Sequence, residues 1–330
     1  MVSFVTGVTG QDGSYLAEQL LAEGVEVHGL VHSAAAAEAD EHVPSADVIV
    51  HEGDLADPAR MRELMLQIQP DTVYNLAGIS SVAFSWREPG LTARLSGVAA
   101  LELMESALDV QTRTGQEVRF VQAASAEIFG QAEVSPQDEL TPLRPVSPYG
   151  TAKAMAHLAA HVYRQRGLHA VSCILYNHES PRRPPRFVTR KITRAVALIS
   201  QGHQDLLELG NLDARRDWGW APDYVDAMVR AARHDEPLDY VVATGVAHSV
   251  RDFVRAAFSR VGIEDWRDLV SVDPDLVRPA DAAEQCGDAS RARTVLGWEP
   301  TVSFEDLVGR MVEVDLEEPG MPRQRSGGAT

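Results

Sequence analysis

Cysteine is nearly absent from this chain of 330 residues: Cys173 and Cys286 are the only two, far apart and without the spacing of metal ligands. That excludes a disulfide framework and a zinc site as organising features, so no metal is expected and a reducing, cytoplasmic setting is. Positive charge is also scarce. Lys and Arg number 30 against 48 Asp and Glu, a formal net charge of −18, which argues against nucleic acid or an anionic membrane surface as a partner. No apolar run approaches the ~18 residues of a membrane span. The first apolar run leads into a glycine-rich turn, so no signal peptide is expected. There is no internal repeat. What remains is ordinary globular composition, 45% hydrophobic and 24% charged, at a length that suits one large α/β unit with an attached lobe.

The run VSFVT at residues 2–6 reads as a strand and is followed by GVTGQDG. SYLAEQLLAEG then has apolar residues at helical spacing, with Gly24 as its stop, and VEVHGLV is a second strand. Gly7, Gly10 and Gly13, bracketed by strand and helix, form a dinucleotide-binding turn. Their backbone amides can approach a pyrophosphate at a helix N-terminus. DVIVHEGDL ends a third strand at Gly53, Asp54 and Leu55, a usual place for adenine contacts. Strand and helix keep alternating through DTVYNLAGIS, EVRFVQAAS and HAVSCILYN. This rhythm predicts an α/β fold, a Rossmann-like doubly wound parallel sheet with ligands at the strand C-termini.

After Asn177 the character changes, and a smaller α/β substrate-binding lobe is expected. HESPRRPPRFVTRK concentrates Arg182, Arg183, Arg186, Arg190 and Lys191 in an acidic protein, a density suited to a diphosphate. LLELGNLDARRDWGW reads as a strand followed by a polar, Trp-containing loop. DYVVATG reads as a strand returning to the main sheet. The expected division is residues 1–177 with the strand near 239–244 for the dinucleotide, 178–320 for the lobe, and a flexible tail at 321–330.

The chemistry is expected between residues 122 and 153. Tyr149 and Lys153 are four apart, on one face of a helix, where an ammonium lowers a phenol pKa that starts near ~10 and makes Tyr149 a base. Ser125 and Glu127 stand at the end of the preceding strand.

TGVTGQDGSYLAEQLL, QPDTVYNLAG, SAEIFG, SPYGTAK, NHESPRR, FVTRKITRA, LGNLDARRDWGWAPDYV, ATGVAHSVRDF and RPAD…GD…LGWEP together resemble the GDP-mannose 4,6-dehydratase family of extended short-chain dehydrogenases/reductases, over residues 2–315. The resemblance implies a GDP-sugar substrate. Tyr149, paired with Lys153, takes the C4 hydroxyl proton as hydride leaves C4, and Ser125 bonds the C4 oxygen. Glu127 removes the C5 proton and helps water leave C6, and hydride then returns to C6. A carboxylate at Glu127 separates elimination from simple 4-epimerisation, which removes no C5 proton. The alternative is a dehydratase or epimerase acting on another GDP-hexose or GDP-heptose. Carried over residue by residue, Thr9, Gln11, Asp12, Leu76, Ala77, Gly78, Ser80, His178 and Arg183 join the glycines, Asp54, Leu55, Tyr149 and Lys153 on the cofactor. Asn177, Val188, Lys191, Gly210, Arg216 and Arg278, with Ser80, Ser125 and Glu127, fall on the sugar nucleotide.

The sequence departs from the family at several points. Where the family has paired arginines for the 2′-phosphate of NADP, this chain has His32, Ser33, Ala34 and Ala35, and the loop onward is shorter. The expected cofactor is therefore NADP or NAD, with NAD tolerated or preferred. That loop also helps the family form tetramers, so a homodimer through surface helices is expected, with a tetramer possible. Ala126, Leu91 and Ser81 replace a family Ser, Tyr and His, whereas Ser80 is kept.

Overall fold

The computed structural model describes residues 1–33, 45–276 and 280–317. Strands β1 (Val2–Thr6), β2 (Glu26–Val31), β3 (Ile49–Glu52), β4 (Thr72–Asn75), β5 (Arg119–Ser125) and β6 (His169–Leu175) alternate with helices α1 (Gln11–Ala22), α2 (Pro58–Ile68), α3 (Val82–Arg87), α4 (Pro89–Ala93), α5 (Ala99–Thr114) and α6 (Pro148–Gln165). Then follow β7 (Asn177–Glu179), α7 (Val188–Ser200), β8 (Leu207–Leu209), β9 (Arg215–Trp220), α8 (Ala221–Arg233) and β10 (Asp239–Val242). The chain continues through β11 (Ala247–Ser249), α9 (Val250–Arg260), β12 (Val270–Val272), β13 (Glu284–Gln285), α10 (Ser290–Leu296) and α11 (Phe304–Glu317).

The doubly wound parallel sheet is present, with seven strands in the order β10-β6-β5-β4-β1-β2-β3. Its central strands are largely apolar on both faces because both are covered. Val5, Leu16, Leu20, Val121, Val171 and Val229 pack on the side of α1 and α8. Phe4, Leu64, Val73, Leu103, Phe120 and Ala160 pack on the side of α2, α5 and α6. Local signals set the helix ends. Asp57 caps α2 through the Arg60 amide and Pro58 starts the helix. Ser147 caps α6 through Gly150, with Pro148 at its first position.

The lobe has its own core, built by Ile192, Trp218, Phe253, Phe258, Leu307 and Met311. Here the polar, Trp-containing loop expected at residues 215–220 is instead strand β9, the centre of a second sheet with β7, β11 and β13. Its polarity misleads because Arg216 and Asp217 are buried and find their partners inside. Asp217, wholly buried, accepts hydrogen bonds from the amides of Thr244, Gly245 and Gly287 at 2.9, 2.8 and 3.3 Å. Tyr176 alone separates β6 from β7, so the chain leaves one sheet and enters the other across a single residue. The expected tail at 321–330 lies outside the described residues. Among the described residues, no helix is long and apolar enough to cross a membrane.

Candidate active site

The glycine-rich turn is shaped by close approach. Gly7 has φ +72°, and a Cβ on it would stand 3.0 Å from the Ala77 amide nitrogen; one on Gly13 would stand 2.1 Å from the Gly7 carbonyl oxygen. Gly10 caps α1 with no side-chain hydrogen bond, so first-turn amides are left for an anion. Thr9 lies in the same turn. Across from it, the Thr6 hydroxyl receives the amides of Leu76 and Ala77, each at 3.1 Å, and Ser96 receives Ile79 at 3.0 Å. Gly78 follows at φ +140° and Ser80 is exposed. This cradle, open at the C-terminal edge of the parallel strands, fits the diphosphate of a nicotinamide dinucleotide.

At the end of β5, Ser125 caps the single turn that carries Glu127, receiving the Glu127 amide at 3.3 Å, and it hydrogen-bonds the Tyr149 hydroxyl. A Cβ on Gly150 would stand 2.4 Å from the Glu127 carbonyl oxygen, so a glycine beside Tyr149 lets α6 press against this turn. Lys153 follows one helical turn later and donates to the Ala123 carbonyl at 2.8 Å, its ammonium 6.0 Å from the Tyr149 ring centre. The expectation that the lysine lowers the tyrosine pKa needs correcting. Burial pushes Tyr149 up to about 12; the Ser125 hydrogen bond opposes this and the Glu127 charge adds to it. Burial likewise pushes Lys153 down to about 8. Dehydration is the dominant influence on both groups.

Gln11, Asp12 and His178 are brought together as a seam. His178 stands 2.8 Å from the Asp12 carboxylate through Nε2 and 2.7 Å from the Tyr176 carbonyl through Nδ1. Both partners are acceptors, so both ring nitrogens donate and His178 is an imidazolium. Burial works against that charge, but Asp12 overrides it and holds the pKa above the ordinary value. Burial works against the Asp12 charge too, and His178 holds its carboxyl below the ordinary value. Gln11 donates to the His178 carbonyl at 3.1 Å and accepts from Ser180 at 2.9 Å. The turn is thus clipped to the start of the lobe, with Tyr224 stacked on His178 at 4.7 Å.

The arginines of the basic segment, expected to favour a diphosphate, also make contacts within the protein. Arg182 bonds Ser14 and Glu18 and lies 3.9 Å over Tyr15. Arg190 is buried against Asp315 at 2.7 Å. Arg183 meets Glu179 at 3.1 Å and lies over Phe187. Arg216 is buried, with Asp281 at 2.5 Å and the Ala282 carbonyl at 2.9 Å. Lys191 and the exposed Val188 lie in the first turn of α7. Asn177 pairs its backbone with Trp218, and a Cβ on Gly210 would stand 2.7 Å from the Leu276 carbonyl oxygen. Asp54 receives the Ala56 amide at 2.8 Å and Leu55 is buried in the core. His32 and Ser33 lie just past β2. Ser81, read as a pocket change, caps α3 by receiving the Phe84 amide. Ala34, Ala35 and Arg278 lie outside the described residues. Sequence reading missed Gly150 and the buried polar residues Asn75 and Gln122. The available signal was an amide interrupting an apolar strand. Among the described residues, no group of three or more His, Cys, Asp or Glu could hold a metal.

The family model for GDP-mannose 4,6 dehydratase matches residues 4–311. The chain is 45% identical over 326 residues to GDP-mannose 4,6 dehydratase 1 of Arabidopsis thaliana, covering 96% of this chain and 90% of that protein. It is 41% identical over 344 residues to GDP-mannose 4,6 dehydratase of Homo sapiens, covering 96% and 91%. Among solved structures, UDP-glucose 4-epimerase of Thermus thermophilus in complex with NAD superposes with a TM-score of 0.84 at 27% identity, covering 97% of this chain and 100% of that one.

The Asp12–His178 pair sets a pH window. A raised histidine pKa contributes stability that is full below the ordinary value of 6.5 and is lost as pH rises through the folded value. A lowered carboxyl pKa contributes stability that is full above 3.8 and is lost as pH falls through the folded value. In urea unfolding, Asp12→Asn is expected to cost roughly 3 kcal/mol between those limits and progressively less on either side.

Proposed function

The chain belongs to the GDP-mannose 4,6-dehydratase family, and from that membership we propose that it converts GDP-mannose to GDP-4-keto-6-deoxy-mannose with loss of one water. When bound, a nicotinamide dinucleotide supplies a hydride acceptor and, in its oxidised form, a positive ring. Gly7, Gly10, Gly13 and the Leu76–Gly78 turn would hold it. Tyr149, hydrogen-bonded to Ser125, takes the proton of the C4 hydroxyl. Because burial leaves its pKa at about 12, the phenol needs positive charge nearby to act at neutral pH; among this chain's groups the Arg183 charge lowers it, and the Lys153 ammonium stands 6.0 Å from its ring centre. A C4 ketone acidifies C5–H. Glu127 removes that proton and returns it to the departing C6 hydroxyl, which leaves as water; the hydride that left C4 is returned to C6 and the proton held by Tyr149 goes to C5, which gives the 4-keto-6-deoxy sugar.

The observation that carries this reading is the carboxylate of Glu127, two residues past Ser125 and close enough for its charge to raise the Tyr149 pKa. A 4-epimerase has no use for it. On incubation with GDP-mannose, mass spectrometry should show loss of water, and Glu127→Gln should slow that loss by roughly 10²–10⁴-fold. Unchanged mass with altered stereochemistry would indicate epimerisation instead, and wild-type dehydration by Glu127→Gln would remove Glu127 from the mechanism.

Cofactor choice follows from the end of β2, where His32 and Ser33 stand in place of a guanidinium clamp. A 2′-phosphate gains no bidentate partner from them, which supports use of NAD at least as well as NADP. Side-by-side binding titrations test this; tight NADP binding with negligible NAD binding would sink it.

An apolar stripe supports self-association. Leu158 and Val162 on α6 are each 53% exposed and Met155 is 38% exposed, at helical spacing on one side of the helix. A homodimer through this face buries them. Sedimentation should show Leu158→Glu shifted to monomer; an unshifted dimer or tetramer would place the interface elsewhere.

A further inference from the structure

A row of polar side chains crosses the sheet where a parallel sheet normally carries only apolar ones. Thr6 on β1 is in register with Asn75 on β4, Asn75 with Gln122 on β5, and Gln122 with Ser172 on β6. Residues in register share a face, here the one that packs on α2, α5 and α6. Thr6, Asn75, Gln122 and Ser172 are 0%, 3%, 1% and 0% exposed. The first three bond in one direction. The Thr6 hydroxyl donates to the Asn75 carbonyl at 2.8 Å, the Asn75 amide to the Gln122 carbonyl at 2.8 Å, and the Gln122 amide to the Ala123 backbone carbonyl at 2.9 Å. Ser172 is tied instead to His157, one helical turn beyond Lys153 on α6, at 2.8 Å.

The ends of this chain are informative. At one end Thr6 receives the Leu76 and Ala77 amides, which form a wall of the dinucleotide cradle. At the other, the Ala123 carbonyl takes two donors, Gln122 and the Lys153 ammonium. An apolar ladder would build the sheet equally well; the amides add a fixed orientation to one carbonyl. We propose that Gln122 is a positioning residue for Lys153. It fills one lone pair of the Ala123 oxygen and leaves the other aimed at the ammonium, and Asn75 and Thr6 lock its amide in the orientation that does so. The proposal rests on the reading of Lys153 as part of the active site, and it ties the cradle wall at Leu76–Ala77 to the lysine through three side chains.

The composition offers a clean probe, because Lys153 and Lys191 are the only lysines in the chain. Isotope labelling at lysine therefore gives two side-chain signals, followed by NMR titration of protein prepared without nucleotide. Gln122→Met is expected to lower the Lys153 midpoint by about one pH unit and to leave Lys191 where it was. With GDP-mannose, kcat is expected to fall about tenfold with KM unchanged, and the alkaline limb of the rate–pH profile to move down by the same shift. Thr6→Val should move the Lys153 midpoint in the same direction by less, and Thr6→Ser should restore it. A folded Gln122→Met protein with an unmoved Lys153 midpoint overturns the proposal. If that variant does not fold, equal midpoints for Thr6→Val and Thr6→Ser overturn it. The titration needs no substrate, so a protein inert towards GDP-mannose whose midpoint still moves would overturn the proposed reaction and leave the positioning role standing.

Discussion

Lys153 brings an ammonium into a place where only 7% of the residue remains exposed, and the cleft is arranged around that cost. A charge removed from water must be given acceptors or lose its proton, and here burial already pulls the lysine down to about 8. One backbone carbonyl, that of Ala123, answers it directly. Strand β5 must therefore end at the level of the first turns of α6. The cap at Ser147 and the missing side chain at Gly150 let the helix come that close. The same approach carries Tyr149 to Ser125 and sets Glu127 beside them both. Moving the lysine out to solvent would dissolve the reason for each of these contacts.

Parts of this were legible in the sequence because they are local. The glycine turn lies within seven residues, and the Tyr149/Lys153 pair needs only helical periodicity to bring its members together. The order of alternating elements was likewise readable from apolar runs and stop residues. What escaped depended on register or on distant partners. Nothing near Arg190 in the sequence points to Asp315, or near Arg216 to Asp281, so the ion pairs these arginines make within the lobe were not readable from their neighbours. The strand at Arg215–Trp220 was hidden for the same reason: its Asp217 is satisfied by amides from Thr244, Gly245 and Gly287. The amides of Asn75 and Gln122 acquire meaning only when β4 and β5 are laid side by side. The direction of the Tyr149 pKa depends on burial, which spacing alone does not report.

An acidic chain with few cations uses most of its guanidinium groups for cohesion. The glycine turn is joined to the lobe through Asp12 and His178, and α1 is joined to it through Arg182. A histidine cation, rather than an arginine, sits deepest at this seam. Its charge is held by two acceptors at once, so the local field is set by the fold rather than by solvent pH over the range in which both partners remain ionised.

The single residue between β6 and β7 has an evolutionary consequence. Tyr176 ends one sheet and begins the next, β10 comes back to the first sheet, and the stretch after it feeds the second. The lobe is therefore not a module that can be exchanged by recombination at one crossover point. A relative's sugar-binding half could be grafted only by replacing several separated segments together, each with its partners across the seam. Diversification of substrate on this scaffold must proceed by point changes within the lobe, and a chimera joined once near Tyr176 would inherit unpaired edges on both sheets.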